Sequence, residues 1–260
     1  MAAMVNQRQA TGVTKRTAPS DRHKLYGGRD PREVPAYATW EAARYLRMPL
    51  RTLQNWTSGY TVGGRVGKPL VQIADPTGHR LSFWNLAEVH VLDSMRTFHK
   101  ITPQKLRRLI AYLEDTFDTP HPLVNERMLT DGVSVLVDKA GQLIDATRDG
   151  QLVIRQVLEA HLHRIDVDVD GLATTLFPFV RHKPDPRVTF SLRDEPRLIS
   201  LDPRVRFGRP VIANTGIPTA EIAARFKAGD SSAALAEEYG RAQSEIEEAI
   251  RCELTLDAAA

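Results

Sequence analysis

The sequence predicts a mainly α-helical protein with small β elements (α+β), with a winged helix-turn-helix near its N-terminus and a three-helix, helix-turn-helix-like unit at its C-terminus. Two short apolar helical patterns flank Pro49, and three more close the chain. Residues 1–110 contain 18 Lys and Arg against 7 Asp and Glu (net +11), whereas the remaining 150 contain 17 against 25 (net −8). The basic front half suits a polyanion, and the acidic back half suits a different partner.

The composition indicates a globular protein with a sizeable core, since 42% of the 260 residues are hydrophobic and 26% are charged. No apolar run approaches the roughly 18 residues of a membrane helix, and no signal-peptide pattern opens the chain. The single cysteine, Cys252, excludes an intramolecular disulfide. We therefore expect a cytoplasmic protein without membrane association, with Cys252 buried in a helix.

Composition and pattern divide the chain into four segments. Residues 1–35 contain few large apolar side chains, which predicts a disordered basic arm. Residues 36–117 predict a winged helix-turn-helix domain, and residues 118–194 predict a mixed α/β middle segment and linker. Residues 195–260 predict a C-terminal helical domain.

Residues 37–56 predict two short helices with a tight break between them. Thr39 is placed to cap the first, and Pro49 interrupts the apolar spacing before the second. Leu53 and Trp56 lie on the inner side of the second helix. Polar and basic residues on or near the outer faces have the chemistry to reach phosphates and base edges: Arg44, Arg47, Arg51, Thr52, Gln54 and Asn55. The alternative is an ordinary helical hairpin whose apolar residues only form a core.

A β-hairpin is predicted next, with strands over residues 69–73 and 80–83 and a turn between them. The glycine-rich stretch 59–68 before it favours neither a helix nor a phosphate-binding Walker loop. A hairpin in this place is typical of a wing, although a plain surface hairpin is the alternative. Three basic residues lie where such a wing can touch phosphates: Arg65, Lys68 and Arg80.

Two longer helices should complete the first domain. The first follows a cap at Ser82 or Asn85 and continues through Phe98, and the second begins at Pro103 with Thr102 as its cap. The middle segment is mixed: strands are expected at 133–137 and 176–180 and a helix at 153–162. A turn over residues 138–142 follows the first of those strands.

Residues 166–171 match the first six positions of a calcium loop, in which alternating carboxylates and a glycine surround the ion. The twelfth position is Phe177 instead of a bidentate Glu. The alternation of Ile165, Val167 and Val169 with aspartates indicates a strand that runs into a turn. We therefore predict no metal site and no cofactor.

The last 60 residues predict a short strand between two turns, followed by three short helices. Thr219 is placed to cap the first helix, and Ser231 the second, which should cover residues 232–239. Gly240 should end the second helix, and Ser244 should start the third.

Two resemblances give these elements a functional meaning. Residues 37–56 resemble the opening of a MerR-type DNA-binding domain, through Tyr37, Thr39, Ala42, Ala43, Leu46, Met48, Thr52, Leu53 and Trp56. In MerR-like proteins a later helix mediates dimers, so this resemblance implies a homodimer.

The segment Ile199–Thr219 and the helices after it are similar to the antitoxins of prokaryotic type II toxin–antitoxin modules whose partners are PIN-domain toxins. Longer members, the VapB-like antitoxins, also carry an N-terminal MerR-like winged helix, and the order found here fits that type. Small members usually have Gly-Thr-Arg where this chain has Asn214-Thr215-Gly216. The family's arginine contact therefore does not carry over to Gly216.

This resemblance implies an antitoxin that binds and neutralises a PIN-type ribonuclease toxin and represses its own operon by binding operator DNA. PIN sites gather carboxylates around magnesium. Basic side chains within or before the segment Ile199–Thr219 are therefore candidates to block such a site. We predict that the toxin-binding residues are Arg181, Lys183, Arg187, Arg204, Arg206, Phe207 and Arg209, of which either the linker cluster (residues 181–187) or the later cluster (residues 204–209) reaches the acidic site. The alternative is that these arginines are only solvated loop residues.

Two other function classes are alternatives to an antitoxin. One is a stand-alone MerR-like transcriptional regulator whose C-terminal domain senses a ligand or dimerises. The other is an enzyme, but HExxH, GxSxG, Walker, paired-cysteine and dinucleotide patterns are all missing from the sequence. We therefore predict no catalytic residues.

Overall fold

Helices dominate the part of the chain that the computed structural model describes, which is residues 26–62, 65–99, 101–118, 121–124, 133–144, 148–169, 171–180 and 195–258. These ranges contain nine α-helices: α1 (Thr39–Leu46), α2 (Leu50–Thr57), α3 (Phe83–His99), α4 (Pro103–Phe117), α5 (Val133–Ile144), α6 (Arg148–Leu162), α7 (Thr219–Lys227), α8 (Ser232–Tyr239) and α9 (Gln243–Ala258). The predicted mainly helical class with small β elements is confirmed.

The strands in the same ranges form four two-stranded antiparallel sheets: β1 (Tyr37–Ala38) with β4 (Arg80–Leu81), β2 (Tyr60–Val62) with β3 (Arg65–Gly67), β5 (Ile165–Val167) with β6 (Ala173–Leu176), and β7 (Ile199–Ser200) with β8 (Val211–Ile212). The sheets are short ties between loops, and the helices supply most of the core. One cluster of buried apolar side chains extends from α1 to α9. None of the described helices is both long and apolar enough to cross a bilayer.

The start of α1 differs from the prediction. Ala38 is the N-cap residue, and its N–H donates to the Glu41 carboxylate at 3.0 Å. Thr39 is already the first helical residue, and its hydroxyl donates to the His79 carbonyl at 2.9 Å. Arg47, with φ of 52°, ends the helix in the left-handed conformation before Pro49 leads into α2.

The strand predicted over residues 69–73 is wrong, although the turn after it is present, because the backbones of Asp75 and Arg80 exchange hydrogen bonds at 3.0 and 3.1 Å. The N–H groups of Leu70 and Val71 donate to the Trp56 carbonyl at 2.6 and 3.0 Å, so this segment closes over the end of α2. β4 pairs with β1, and Phe83 begins α3. The hairpin that follows α2 is β2–β3, which lies within the glycine-rich stretch.

Gly59 explains where that hairpin starts. Its φ of 77° lies in the left-handed region, and a Cβ on this residue would sit 2.2 Å from the Gly67 carbonyl oxygen. Only glycine allows the two backbones to approach so closely here.

The helix caps at Ser82 and Thr102 fall where the sequence places them. The Asn85 N–H donates to the Ser82 hydroxyl at 3.2 Å, and the Ser82 N–H donates to the Asn85 side chain at the same distance. Thr102 is the N-cap residue of α4, but its side chain makes no capping bond, and Pro103 is the first helical residue.

The predicted strand at 133–137 and the turn after it are wrong, because these residues belong to α5. The buried residues Val133, Leu136, Val137 and Ala140 recur every three or four positions, and this helical spacing outweighs the strand preference of valine. The helix expected at 153–162 is confirmed within α6.

The strand expected at 176–180 is wrong beyond Leu176, and Arg164 explains why. The guanidinium is 1% exposed and donates to the carbonyls of Phe177, Phe179 and Glu195 at 2.7, 2.8 and 2.9 Å. Burial lowers the pKa of Arg164 to about 10. These carbonyls bond to a side chain, so β6 covers only Ala173–Leu176.

Two of the three aspartates of the calcium-like stretch have partners within the protein, and the third, Asp170, lies outside the described residues. Asp166 pairs with Arg197, and Asp168 pairs with Arg32 at 2.5 Å. The Leu172 N–H donates to the Asp168 carboxylate at 2.9 Å. The strand expected here is confirmed as β5.

The C-terminal helices follow the prediction except at two starts. The Ser231 hydroxyl accepts the Ala234 N–H at 3.1 Å, and Gly240, with φ of 60°, ends α8. Thr219 is not a cap: it is fully buried, and its hydroxyl donates to the Glu253 carboxylate and lies 3.3 Å from the Pro210 carbonyl oxygen. α9 begins at Gln243, and Cys252 within it is 1% exposed, as expected.

Candidate nucleic-acid interface

The outer face of α2 lines a shallow concavity of about 720 Å³. Arg51 and Gln54 are exposed there and Asn55 is half-buried, and all three line its surface. Guanidinium and amide groups are the side chains that pair most specifically with guanine and adenine edges. The structure thus brings together three of the six helix-turn-helix residues that were assigned to DNA.

Packing of the opposite face fixes this presentation. Leu53 is fully buried and Trp56 is 3% exposed, so α2 has one face in the core. Residues 51, 54 and 55 then lie outward because a helix turns by about 100° per residue.

Trp40 and His79 are two further residues of this surface that the sequence analysis missed. Trp40 is 53% exposed on α1 and lines the concavity beside Leu50, which is 41% exposed. Trp40 lies about 200° around α1 from the buried Ala42, and this spacing is the sequence signal that would have identified it. His79 has φ of 51° and gave no comparable signal.

Arg44 and Arg47 do not reach the concavity. Arg44 donates from Nε to the Leu256 carbonyl at 3.1 Å, and Arg47 donates from Nη1 to the Val180 carbonyl at 2.7 Å. Burial lowers the pKa of Arg47. These side chains attach α1 to the C-terminal half of the protein, so neither predicted DNA contact lies on the Arg51 surface.

The remaining predicted DNA contacts are spread around this region. Thr52 is half-buried and does not line the concavity. Arg65 lies in β3, and its side chain is outside the described residues. Lys68 is exposed, and its carbonyl accepts from Arg107 Nε at 3.1 Å. Arg80 is exposed in β4, directly after His79.

A second feature, the signature loop at residues 202–209, carries four of the predicted toxin contacts. Phe207 is 66% exposed, and both it and Arg206 have positive φ, at 53° and 48°. Arg206 Nε donates to the Gly216 carbonyl at 2.9 Å, and Arg204 pairs with Asp202 at 2.7 Å. Two consecutive non-glycine residues in the left-handed region cost roughly 1–3 kcal/mol each, and such strain clusters at functional sites.

The other predicted cluster, Arg181, Lys183 and Arg187, lies outside the described residues.

Contacts with the helix-turn-helix hold the signature loop in place. The hydroxyl of fully buried Tyr37 donates to the Gly208 carbonyl at 3.2 Å. Arg209 Nη1 pairs with Glu41 and donates to the Tyr45 hydroxyl at 3.4 Å. Burial lowers the pKa of Arg209, but these bonds to Tyr45 and Glu41 outweigh it and raise the pKa overall.

Residues 26–35, which were expected to belong to the basic arm, also pack against this side of the protein. The Tyr26 hydroxyl donates to the Pro203 carbonyl at 2.7 Å, and its ring meets Phe207 edge-on at 6.0 Å. Arg32 pairs with Asp30 at 2.6 Å as well as with Asp168.

Within the described ranges, no group of three or more His, Cys, Asp and Glu side chains is arranged to hold a metal ion.

Comparison with known proteins identifies both halves of this arrangement. Residues 35–110 match a family described as "Putative DNA-binding HTH domain", and residues 199–251 match one described as "Protein of unknown function (DUF433)". Neither description names an enzyme.

The similarity also extends along most of the chain. "Putative antitoxin VapB45" from Mycobacterium tuberculosis is 29% identical over 239 residues, which cover 84% of this chain and 93% of that protein. The crystal structure of Rv2018 from Mycobacterium tuberculosis has the same fold, with a TM-score of 0.62 at 24% identity over 84% of this chain and 98% of that one. The chain therefore combines a segment that matches a DNA-binding HTH family with one that matches DUF433, and it is similar over most of its length to a protein named as an antitoxin.

Proposed function

We propose that this protein is the antitoxin of a type II toxin–antitoxin system, which binds its operator through α2 and neutralises a PIN-type ribonuclease toxin. The exposed Arg51–Gln54–Asn55 surface, within a chain similar over most of its length to a protein named as an antitoxin, carries this proposal. The proposal includes a cytoplasmic location, which suits a DNA-binding role in a prokaryote.

For DNA, we propose a MerR-like winged arrangement in which α2 enters the major groove and hairpin β2–β3 acts as the wing. Arg51 is the second and Gln54 the fifth of the eight residues of α2, and recognition helices contact base edges with residues near their N-terminus. Trp40 and Leu50 offer apolar contacts to sugars or thymine methyl groups beside them. A homodimer would set two such helices about 34–36 Å apart on a near-palindromic site.

For the toxin, we propose that the signature loop is the contact. Phe207 presents an aromatic anchor on a strained backbone, and Arg204 and Arg206 flank it. An exposed guanidinium can form charge-assisted bonds with the carboxylates of a PIN site. Arg209 has a different role, because its pairing with Glu41 and Tyr45 anchors the loop.

Together these two surfaces support autoregulation, in which the antitoxin, alone or with the toxin, represses its own operon. The test is co-expression with the product of the adjacent gene, followed by co-purification and by binding of the complex to the promoter fragment. The proposal would be refuted if the protein failed to bind either the adjacent gene product or the promoter fragment. Promoter binding without an adjacent PIN-like reading frame would favour the stand-alone regulator.

A further inference from the structure

The three-helix unit α7–α9 has an apolar groove that the signature loop does not explain. It encloses about 580 Å³, and its lining includes Phe226, Ile250 and Leu254. Ile250 is 6% exposed and forms the floor, whereas Phe226 and Leu254 remain 40% and 46% exposed. Two large apolar side chains left in water on one small unit indicate an interaction surface.

The charge around this groove specifies the kind of partner. Residues 219–258 contain nine Asp and Glu against four Lys and Arg, a net charge of −5. At the groove itself, Glu247 is exposed, and Arg251 is already paired with the buried Glu248. Exposed anionic charge beside apolar walls complements a segment that carries both apolar side chains and Lys or Arg.

We propose that this groove is a second docking site for the toxin, and that it receives an apolar segment with flanking basic residues. The inference rests on the proposed antitoxin function and adds a contact separate from Phe207. Apolar side chains that are buried in a pocket dominate binding energy. An apolar toxin segment held between Phe226 and Leu254 would therefore contribute affinity, while the signature loop covers the acidic site of the toxin.

Other occupants fit less well. Nucleic acid is disfavoured by the net negative charge of the unit. Two copies joined symmetrically through this face would bring like charges together. The groove would not enclose a small molecule, since Phe226 and Leu254 keep much of their surface exposed to water.

The experiment measures the affinity of the full-length protein for the purified product of the adjacent gene. The test variant is Phe226→Ser/Leu254→Ser, and the matched control is Leu152→Ser, which changes a side chain that is 54% exposed on α6. We expect the double variant to lose about tenfold or more in affinity, whereas the control stays within about twofold.

Glu247→Lys is a second test variant that is expected to fold normally, because the Glu247 side chain is exposed. Its described hydrogen bonds are those with Gln243 at 2.8 Å and Ser232 at 3.3 Å. We expect weaker toxin binding that also depends less on salt, with unchanged promoter binding.

If the double variant and Glu247→Lys both bound the toxin within about twofold of the wild-type affinity, the inference would be overturned and the antitoxin proposal would remain intact. Absence of wild-type binding would overturn both. If the double variant instead converted a toxin-free dimer to a monomer, the groove would belong to a second copy, and the inference would be wrong.

Discussion

Gly208 is the position where the structure makes its sharpest prediction about stability. Its φ is 77°, and an added Cβ would lie 1.9 Å from the Tyr37 hydroxyl oxygen and 2.9 Å from the ring carbon that bears it. Tyr37 is fully buried in β1, so it has no free space into which to move. Gly208→Ala must therefore displace either the signature loop or the strand that leads into α1.

The expected cost follows from three contributions. Alanine in the left-handed region costs roughly 1–2 kcal/mol. Forcing an extra methyl group into a packed site costs typically about 1–3 kcal/mol, and loss of the Tyr37–Gly208 hydrogen bond adds about 0.5–1.5 kcal/mol. Because these contributions overlap, we expect Gly208→Ala to lower the free energy of unfolding by about 2–5 kcal/mol.

Urea unfolding followed by circular dichroism measures this loss, and Gly216→Ala is the matched control. Gly216 lies outside the left-handed region, and an added Cβ there would meet no atom within 4 Å. Alanine at such a site should be neutral or stabilise by about 0.4–1 kcal/mol.

A double-mutant cycle then tests the cause of the loss. Tyr37→Phe removes the oxygen at 1.9 Å, so Gly208→Ala should cost at least about 1 kcal/mol less in that background. Strict additivity of the two changes, or a single-variant cost below about 1 kcal/mol, would refute the packing described between loop and strand.

Two further predictions concern the basic residues and pH. Arg51→Ala should weaken promoter binding by about 1–3 kcal/mol in fluorescence anisotropy and leave stability and toxin binding unchanged. Arg47→Ala should instead lower the urea midpoint, because Arg47 is bonded to the Val180 carbonyl. The reverse pattern would restore Arg47 as a DNA contact. Burial lowers the pKa of His121, but its bond to Glu88 at 3.1 Å and the nearby carboxylates raise it overall. This contribution to stability is therefore complete below pH 6.5 and lost as pH rises through the raised pKa, so His121→Gln should destabilise more at pH 5.5 than at pH 8.5. An equal effect at both pH values would contradict the ion pair.

The sequence predicted elements whose signals are local and missed those decided by distant contacts. Ser231 and Gly240 bound α8 because a hydroxyl cap and a left-handed glycine act within a few residues. Thr39 and Thr219 have the same capping chemistry, yet their hydroxyls donate instead to distant groups, the His79 carbonyl and the Glu253 carboxylate. Local preference could not reveal those partners.

The candidate site divides in the same way. The apolar spacing of Leu53 and Trp56 turns the opposite side of α2 outward, and this side carries Arg51, Gln54 and Asn55. That pattern can be recognised within the sequence of the helix itself. Arg44 and Arg47 have the same chemistry, but their partners lie 212 and 133 residues away. Charge alone therefore could not separate the residues that line the concavity from those that attach α1 to the C-terminal half.

Glu41 shows why the two proposed binding surfaces need not act independently. One of its carboxylate oxygens accepts the Ala38 N–H at the start of α1, and the other pairs with Arg209 of the signature loop. The carboxylate is 12% exposed, so neither bond is freely replaced by water. A partner that pulled the loop outward would weaken the Arg209 contact and leave the α1 cap with a less constrained carboxylate. Because α1 and α2 pack together, such a change at α1 would reach the Arg51 surface, and Glu41→Gln should alter promoter affinity although Glu41 does not line that concavity.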